Sequence, residues 1–238
     1  MRDIRKVFDD SKGRYGSPRV HQALRNKGIL VSRKRVERLM RQAELKGRVS
    51  RVTRRAPGLK RFVAKGENLL LQAGNAKNIN QVWVADVTYI RHKKSWLYLA
   101  TVMDQYSRRI IGWSLSDQRT TALTCSAMTN ALKKRGYPTG LILHTDRGVE
   151  YTGNQFQELL RKYDFKHSVN RAGYCTDNAF MESFYHSLKG ELIRKTVFKT
   201  VTHLRKEIAG YINQFYNRVR LHSGLDYLPP IKYEQSLG

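Results

Sequence analysis

Apolar positions along the 238-residue chain change their period twice. In residues 15–45 they recur at three- and four-residue spacing, as on amphipathic helices: Val20, Ala23 and Leu24 before Gly28, then Val36, Leu39, Met40 and Ala43 after Ser32. Pro18 suits a first helical turn and Ser32 an N-cap, so the segment predicts helix, a four-residue break (GILV) and a second helix. That is the outline of a helix-turn-helix. Residues 47–65 (GRVSRVTRRAPGLKRFVAK) hold no period and contain Pro57 and Gly58, and they read as a basic linker or arm. From residue 80 the period shortens: QVWVADVTYI, SWLYLATVMD and RRIIGWSLS predict three short strands in an antiparallel meander. A helix over residues 120–135, a buried strand (LILHT), a helix (NQFQELLRKY), a short strand (FKHSV) and a helix (DNAFMESFYHSLKGEL) follow. A last helix over residues 203–216 ends before Pro229 and Pro230.

Three strands and then alternating helix and strand predict an α/β class core, a mixed five-stranded sheet flanked by helices, preceded by a small all-helical unit. The expected boundaries are residues 1–46 for the helix-turn-helix DNA-binding domain, 47–79 for the basic linker and 80–238 for the α/β core with its C-terminal helix.

Composition sharpens the choice of partner. Lys and Arg number 45 against 19 Asp and Glu, a net charge of +26, and residues 1–65 alone hold 21 of the bases and 5 of the acids. Such an excess implies a polyanion bound through counterion release. No basic amphipathic helix with a large apolar face favours a membrane surface, so double-stranded DNA is the expected partner. No apolar run approaches a membrane span, no signal peptide opens the chain, and Cys125 and Cys175 have no C-x-x-C spacing. A cytosolic protein with reduced thiols is expected. In the second predicted helix Arg33, Lys34, Arg35, Arg38 and Arg41 lie off the apolar stripe, and Arg54 and Arg55 sit in the arm. All seven are candidate DNA contacts, the helical five either against phosphates and base edges or as a solvated basic face.

Three carboxylates carry the candidate chemistry. Asp86 interrupts the first apolar strand, Asp146 follows the strand LILHT, and Glu182 sits in the helix after it, with 35 residues between the last two. A lone Asp is commonly a turn former or a cap, and Asp104 before a polar turn and Asp177 at a helix start are read that way. An Asp inside a strand of Val, Trp and Ile needs a partner, because an unpaired buried carboxylate costs several kcal/mol. Hard divalent cations prefer oxygen ligands, and two of them suit in-line displacement at a phosphodiester. A meander leaves the Asp86 strand central, and Asp146 falls at the carboxyl end of its strand, where open α/β sheets bind ligands. On the third element Met181, Phe184, Leu188 and Leu192 share one face, with Glu182, His186 and Lys189 on an adjoining polar strip. Lys189 is either a phosphate contact or an ordinary exposed lysine. His144 and His167 are read as core or rim packing.

YGSPRVHQAL and RVERLM, the blocks around Asp86, HTDRG, DNAFMESF, SLKGEL and the tail FYNRVRLHSGL together resemble the second-reading-frame transposases of the IS-three family of bacterial insertion sequences. The resemblance covers nearly the whole chain. It implies a ribonuclease-H-like retroviral-integrase core of the Asp, Asp, 35 residues, Glu type. It further implies catalysis by Asp86, Asp146 and Glu182 as ligands of two Mg²⁺ or Mn²⁺ ions, cleavage of the element's ends and joining of the 3′-OH to target DNA. The family also implies a homo-oligomer on DNA and a first-reading-frame partner or fusion. A metal-dependent nuclease of the same fold, and a non-catalytic DNA-binding regulator, are the rival readings. The first would cut without joining, and the second leaves Asp86 unexplained.

Overall fold

The computed structural model describes residues 1–48, 66–172 and 175–237, the last of these from the backbone alone at Cys175 and Thr176. Arg54 and Arg55 lie outside the described residues.

Three helices open the chain: α1 (Arg2–Asp10), α2 (Ser17–Arg25) and α3 (Arg33–Gln42). Pro18 lies in the first turn of α2, and Ser32 caps α3 by accepting from the Arg35 N–H, as the sequence pattern predicts. The pattern misses α1, whose charged stretch buries only Ile4 and Val7, one turn apart. With Val20, Leu24, Val36 and Met40 they form a small apolar centre. That centre is continuous with the rest of the molecule. The Tyr15 hydroxyl donates to the Val219 carbonyl (3.1 Å) and accepts from the Leu221 N–H (3.0 Å), while Arg19 Nε donates to the Leu221 carbonyl (2.8 Å). The helical unit is thereby tied to the C-terminal segment.

After a short helix α4 (Leu70–Ala73), β1 (Val82–His92), β2 (Ser95–Asp104) and β3 (Ile110–Ser116) form the meander, and α5 (Thr121–Arg135), β4 (Ile142–Thr145), α6 (Asn154–Lys162), β5 (Lys166–Val169) and α7 (Ala179–Glu191) complete the core. The sheet order is β3-β2-β1-β4-β5, with β4 and β5 parallel to β1. Its central strands are apolar on both faces because both are covered. Trp83, Ala85, Ala100 and Ile111 share a cluster with α5 and α6, whereas Val82, Val84, Leu99 and Ile110 belong to the larger cluster that includes α7 and extends to the N-terminal helices. Gly112 lets α5 lie close on β3, since a Cβ there would sit 2.2 Å from the Ala127 carbonyl oxygen.

The C-terminal helix differs from expectation. Helix α8 (Val201–Gly210) passes into a π-helical stretch over Tyr211–Tyr216, and a further short helix, α9 (Pro230–Gln235), starts at the proline pair where the pattern predicted only an end. Proline is favoured in a first helical turn, where its missing N–H costs nothing. Glu234 of α9 pairs with Arg109 (2.5 Å) and with Arg135, which also approaches Asp104 (3.6 Å).

Candidate active site

The site begins with a strand register. β1 and β4 run parallel with Ala85 opposite Thr145, so the next residues along the two chains are Asp86 and Asp146. β4 ends at Thr145, which opens the sheet beside Asp86 and leaves both carboxyls half-buried. Alternation along β1 puts Asp86 with Val82 and Val84 on the face covered by α7. Asp86 accepts the Val87 N–H (2.7 Å) and Asp146 accepts the Gly148 N–H (3.0 Å). Burial first, and then the neighbouring Asp146 and Glu150 carboxylates, hold the Asp86 carboxyl well above the usual carboxylate range. Asp146 is raised by burial and by Glu150.

Glu150 and Arg119 are the partners that the sequence pattern missed. Glu150 is buried, and its Oε1 accepts from Arg119 Nε (2.9 Å) and from a terminal guanidinium nitrogen (2.6 Å). The same nitrogen lies 4.0 Å from Asp146 Oδ2. The Thr124 hydroxyl fixes the Glu150 carbonyl (2.9 Å). Gly148 makes the arrangement possible, because a Cβ there would come within 2.5 Å of the Glu150 carboxylate. Arg119 therefore stands as a fixed cation between two acids at the mouth of the site. In sequence it lies in a polar turn (SDQRT) with no distinguishing signal.

Helix α7 is attached to β1 at the same point. Asn178, its N-cap residue, donates its amide to the Ala85 carbonyl (3.0 Å), and the Tyr185 hydroxyl donates to the Asp86 carbonyl (2.5 Å). Thr101, opposite Asp86 in the β-ladder, is 2.7 Å from the same hydroxyl. At 100° per residue Glu182 lies about 40° from Asn178 and about 60° from Tyr185 around the helix. It is exposed in the first turn of α7, with Met181, Phe184, Leu188 and Leu192 buried as expected. Among the described residues no three His, Cys, Asp or Glu side chains are gathered closely enough to hold a metal ion. Asp86 and Asp146 meet; Glu182 is not gathered with them.

Lys189 is half-buried, with Nζ 4.6 Å from the centre of the Tyr89 ring, and burial lowers its pKa although Asp86 opposes the shift. Arg33, Lys34, Arg35, Arg38 and Arg41 are all exposed on α3, Arg41 3.5 Å from Glu37. Asp104 is a turn former, accepting from the Asn80, Tyr106 and Ser107 N–H groups (2.7, 3.1 and 3.1 Å). Asp177 departs from the cap reading: it accepts from the Arg171 guanidinium (2.9 Å), the Arg171 N–H and the Asn68 amide, and these bonds, Arg171 foremost, hold it at about 2. His144 is buried against the Ser168 hydroxyl (2.8 Å) and His167, half-buried, is 3.0 Å from the Thr145 hydroxyl, a core and a rim position as read.

The fold and the sequence families converge on one class. Residues 76–175 match the Integrase core domain family, residues 163–230 a second family of the same description, and residues 1–53 the HTH-like domain family. The chain is an integrase-core polynucleotidyl transferase with a ribonuclease-H-like fold.

It is 40% identical over 232 residues to the transposase for insertion sequence element IS904 of Lactococcus lactis, covering 98% of this chain and 92% of that protein. It is 41% identical to transposase InsF for insertion sequence IS3A of Escherichia coli, covering 96% of this chain and 79% of that protein. The chain belongs to the IS3 family of insertion-sequence transposases. Among solved structures, the HTLV-2 integrase catalytic core domain in complex with magnesium shares the fold (TM-score 0.51, 21% identity, 65% of this chain and 96% of that one). So does a chain of the simian T-cell lymphotropic virus intasome in complex with PP2A regulatory subunit B56 gamma (TM-score 0.57, 14% identity, 97% of this chain and 74% of that one).

Proposed function

We propose that this transposase cleaves the ends of its insertion sequence and joins the freed 3′-OH to target DNA, with Asp86, Asp146 and Glu182 as the ligands of two Mg²⁺ or Mn²⁺ ions. The observation that carries the reading is the register that sets Asp86 and Asp146 side by side at the carboxyl end of β4. Their chemistry fits a hard cation. Two crowded carboxyls are raised by burial and by the acids around them, with one backbone N–H donated to each. Bound there, the ions would supply Lewis acidity at the scissile phosphate. The magnesium in the HTLV-2 integrase core, on the same fold, supports the choice of metal.

The chain's own residues define the geometry of the step. Tyr185 and Asn178 hold the helix of Glu182 against β1, and the exposed Glu182 carboxylate would have to close on the Asp86–Asp146 pair when metal and DNA bind. The attacking and leaving oxygens belong to water and DNA, and no protein side chain acts as nucleophile. Arg33, Lys34, Arg35, Arg38 and Arg41 on α3, Arg54 and Arg55 in the arm and Lys189 on α7 are assigned to DNA. The residue divisions 1–46, 47–79 and 80–238 correspond to end binding, arm and chemistry. Joining two ends calls for several copies on DNA, and the family's first-reading-frame product is the expected partner or fusion.

The test is a duplex copy of the element's end incubated with Mn²⁺ or Mg²⁺, with both cut and joined strands scored. Joined product is expected. Cutting alone would identify a nuclease, and binding with neither product, by this chain and by the first-reading-frame fusion alike, would identify a binder.

A further inference from the structure

A cleft of about 530 Å³ lies at the seam between the N-terminal helices and α7. Five guanidinium groups line it, those of Arg14, Arg19, Arg33, Arg48 and Arg220, against one carboxylate, Glu191. That carboxylate is already committed. Arg220 Nε lies 3.1 and 3.0 Å from its two oxygens and an Arg220 terminal nitrogen 2.8 Å from Oε1, both side chains being buried. The Tyr211 hydroxyl adds a further bond to Glu191 Oε2 (2.8 Å).

The other four cations have neutral partners or none. Arg19 donates to the Leu221 carbonyl (2.8 Å) and Arg48 to the Glu191 backbone carbonyl (2.9 Å). Arg14 lies over the Phe215 ring at 4.3 Å, with its buried Nε lacking a hydrogen-bond acceptor. Arg33, at the first position of α3, is exposed. None of the four forms an ion pair among the described residues. Burial lowers the pKa of Arg14 and of Arg19, with Arg48 and Arg220 adding to the shift and Glu191, already bound to Arg220, opposing it only in part. Guanidinium groups beside hydroxyls are the donor set that suits phosphate oxygens. Ser183 and Ser187 supply the hydroxyls, and both come from α7, one and five residues beyond Glu182.

We propose that this seam is a phosphate-binding cleft for the backbone of duplex DNA, lying between the α3 surface and the helix that carries Glu182. The proposal rests on the reading of the chain as a DNA-joining enzyme and adds to it a binding site built by both parts of the molecule. Its contacts are to phosphate, so it contributes affinity and orientation and no base sequence. The free cations of the cleft would hold the DNA leaving α3 so that it reaches the carboxylates at a set angle.

The experiment is DNA binding by the full chain in EDTA, read by fluorescence anisotropy across a salt series, on a duplex of the element's end and on an unrelated duplex. Arg33→Gln with Arg48→Gln is compared with Arg161→Gln with Lys162→Gln on α6, which removes equal charge from the opposite face of the sheet. The cleft pair is expected to weaken both duplexes by about tenfold and to reduce the salt slope by about 2, near one unit per lost phosphate contact. The α6 pair should change affinity less than about twofold. Equal effects of the two pairs, or a wild-type slope in the cleft pair, would overturn the proposal. If the cleft pair melts early, Arg48→Gln alone serves, since Arg48 lines the cleft and lies off α3, with a slope reduction of about 1 expected and none refuting. Because the assay needs no chemistry, loss of binding in a chain that neither cuts nor joins would keep the cleft and remove the catalytic reading. Joining by wild type together with an unchanged cleft variant would do the reverse.

Discussion

The Tyr185 hydroxyl lies 2.5 Å from the backbone carbonyl oxygen of Asp86, and so binds helix α7 to the central strand at the residue proposed to carry the chemistry. Thr101, directly across the ladder from Asp86, shares that hydroxyl at 2.7 Å. Tyr185→Phe keeps the ring and removes the tie. It should cost about 1–3 kcal/mol of stability, because the Thr101 hydroxyl and the Asp86 carbonyl lose a buried partner. It should also slow strand joining by up to about 100-fold through loss of alignment, with DNA affinity unchanged. Urea unfolding and initial joining rates measure the two, and a joining rate equal to wild type would show that α7 needs no tie at this point.

Arg119 and Glu150 form the second relationship that positions the site. Glu150 is buried while Arg119 is about a third exposed, so solvent screens part of their attraction. A double-mutant cycle with Arg119→Met and Glu150→Met should give a coupling of about 1–2 kcal/mol. Arg119→Met alone should be the more destabilising single change, since it leaves the fully buried Glu150 carboxylate unpaired, whereas Glu150→Met leaves a partly exposed Arg119 with Asp146 beside it. A coupling indistinguishable from zero would reduce the pair to incidental proximity.

His167 gives the fold a dependence on pH. Burial lowers it to about 4 from an ordinary value of 6.5. The unfolded chain therefore binds more protons between those values, and stability is full above pH 6.5 and falls as the pH drops toward 4. The raised Asp86 and Asp146 carboxyls act in the opposite sense, holding protons in the folded state as the pH falls. The comparison with His167→Gln isolates the histidine: wild type should lose up to about 3 kcal/mol more than the variant over that interval. Parallel stability profiles for the two proteins would exclude the effect.

Raised carboxyls also predict how metal binds. On the proposed site, protons and a divalent cation would compete for Asp86 and Asp146, so Mn²⁺ affinity without DNA should rise from pH 5 to pH 7.5, with protons released on binding. Calorimetry in two buffers of different ionisation enthalpy counts those protons. Affinity independent of pH, or unaffected by Asp86→Asn, would place the metal elsewhere.

The elements that order the site were legible because their patterns are dictated by burial on both sides. An Asp within QVWVADVTYI on a central strand, and another just past LILHT, can meet only if the two strands are parallel neighbours, which they are. Helix α7 was legible from Met181, Phe184, Leu188 and Leu192. Helix α1 was not, since two apolar residues in nine acquire their meaning from the partners that cover them. Glu150 and Arg119 escaped for a similar reason: a pair 31 positions apart has no local signature, and only folding of the loop at Gly148 brings it to Asp146. The π-helical stretch at Tyr211–Tyr216 likewise follows from tertiary packing, where Tyr211 reaches Glu191 and Tyr216 packs on Phe184.

The most direct measurement compares strand joining on the element's end by wild type, Asp86→Asn, Asp146→Asn and Glu182→Gln, with DNA binding measured on the same samples. Each variant should bind DNA within about twofold of wild type, because no phosphate-contacting cation is lost, and should give no joined product. Joining by Glu182→Gln at the wild-type rate would contradict the three-carboxylate site and leave the Asp86–Asp146 pair to act with another partner, Glu150 being the nearest acid to Asp146 by charge coupling.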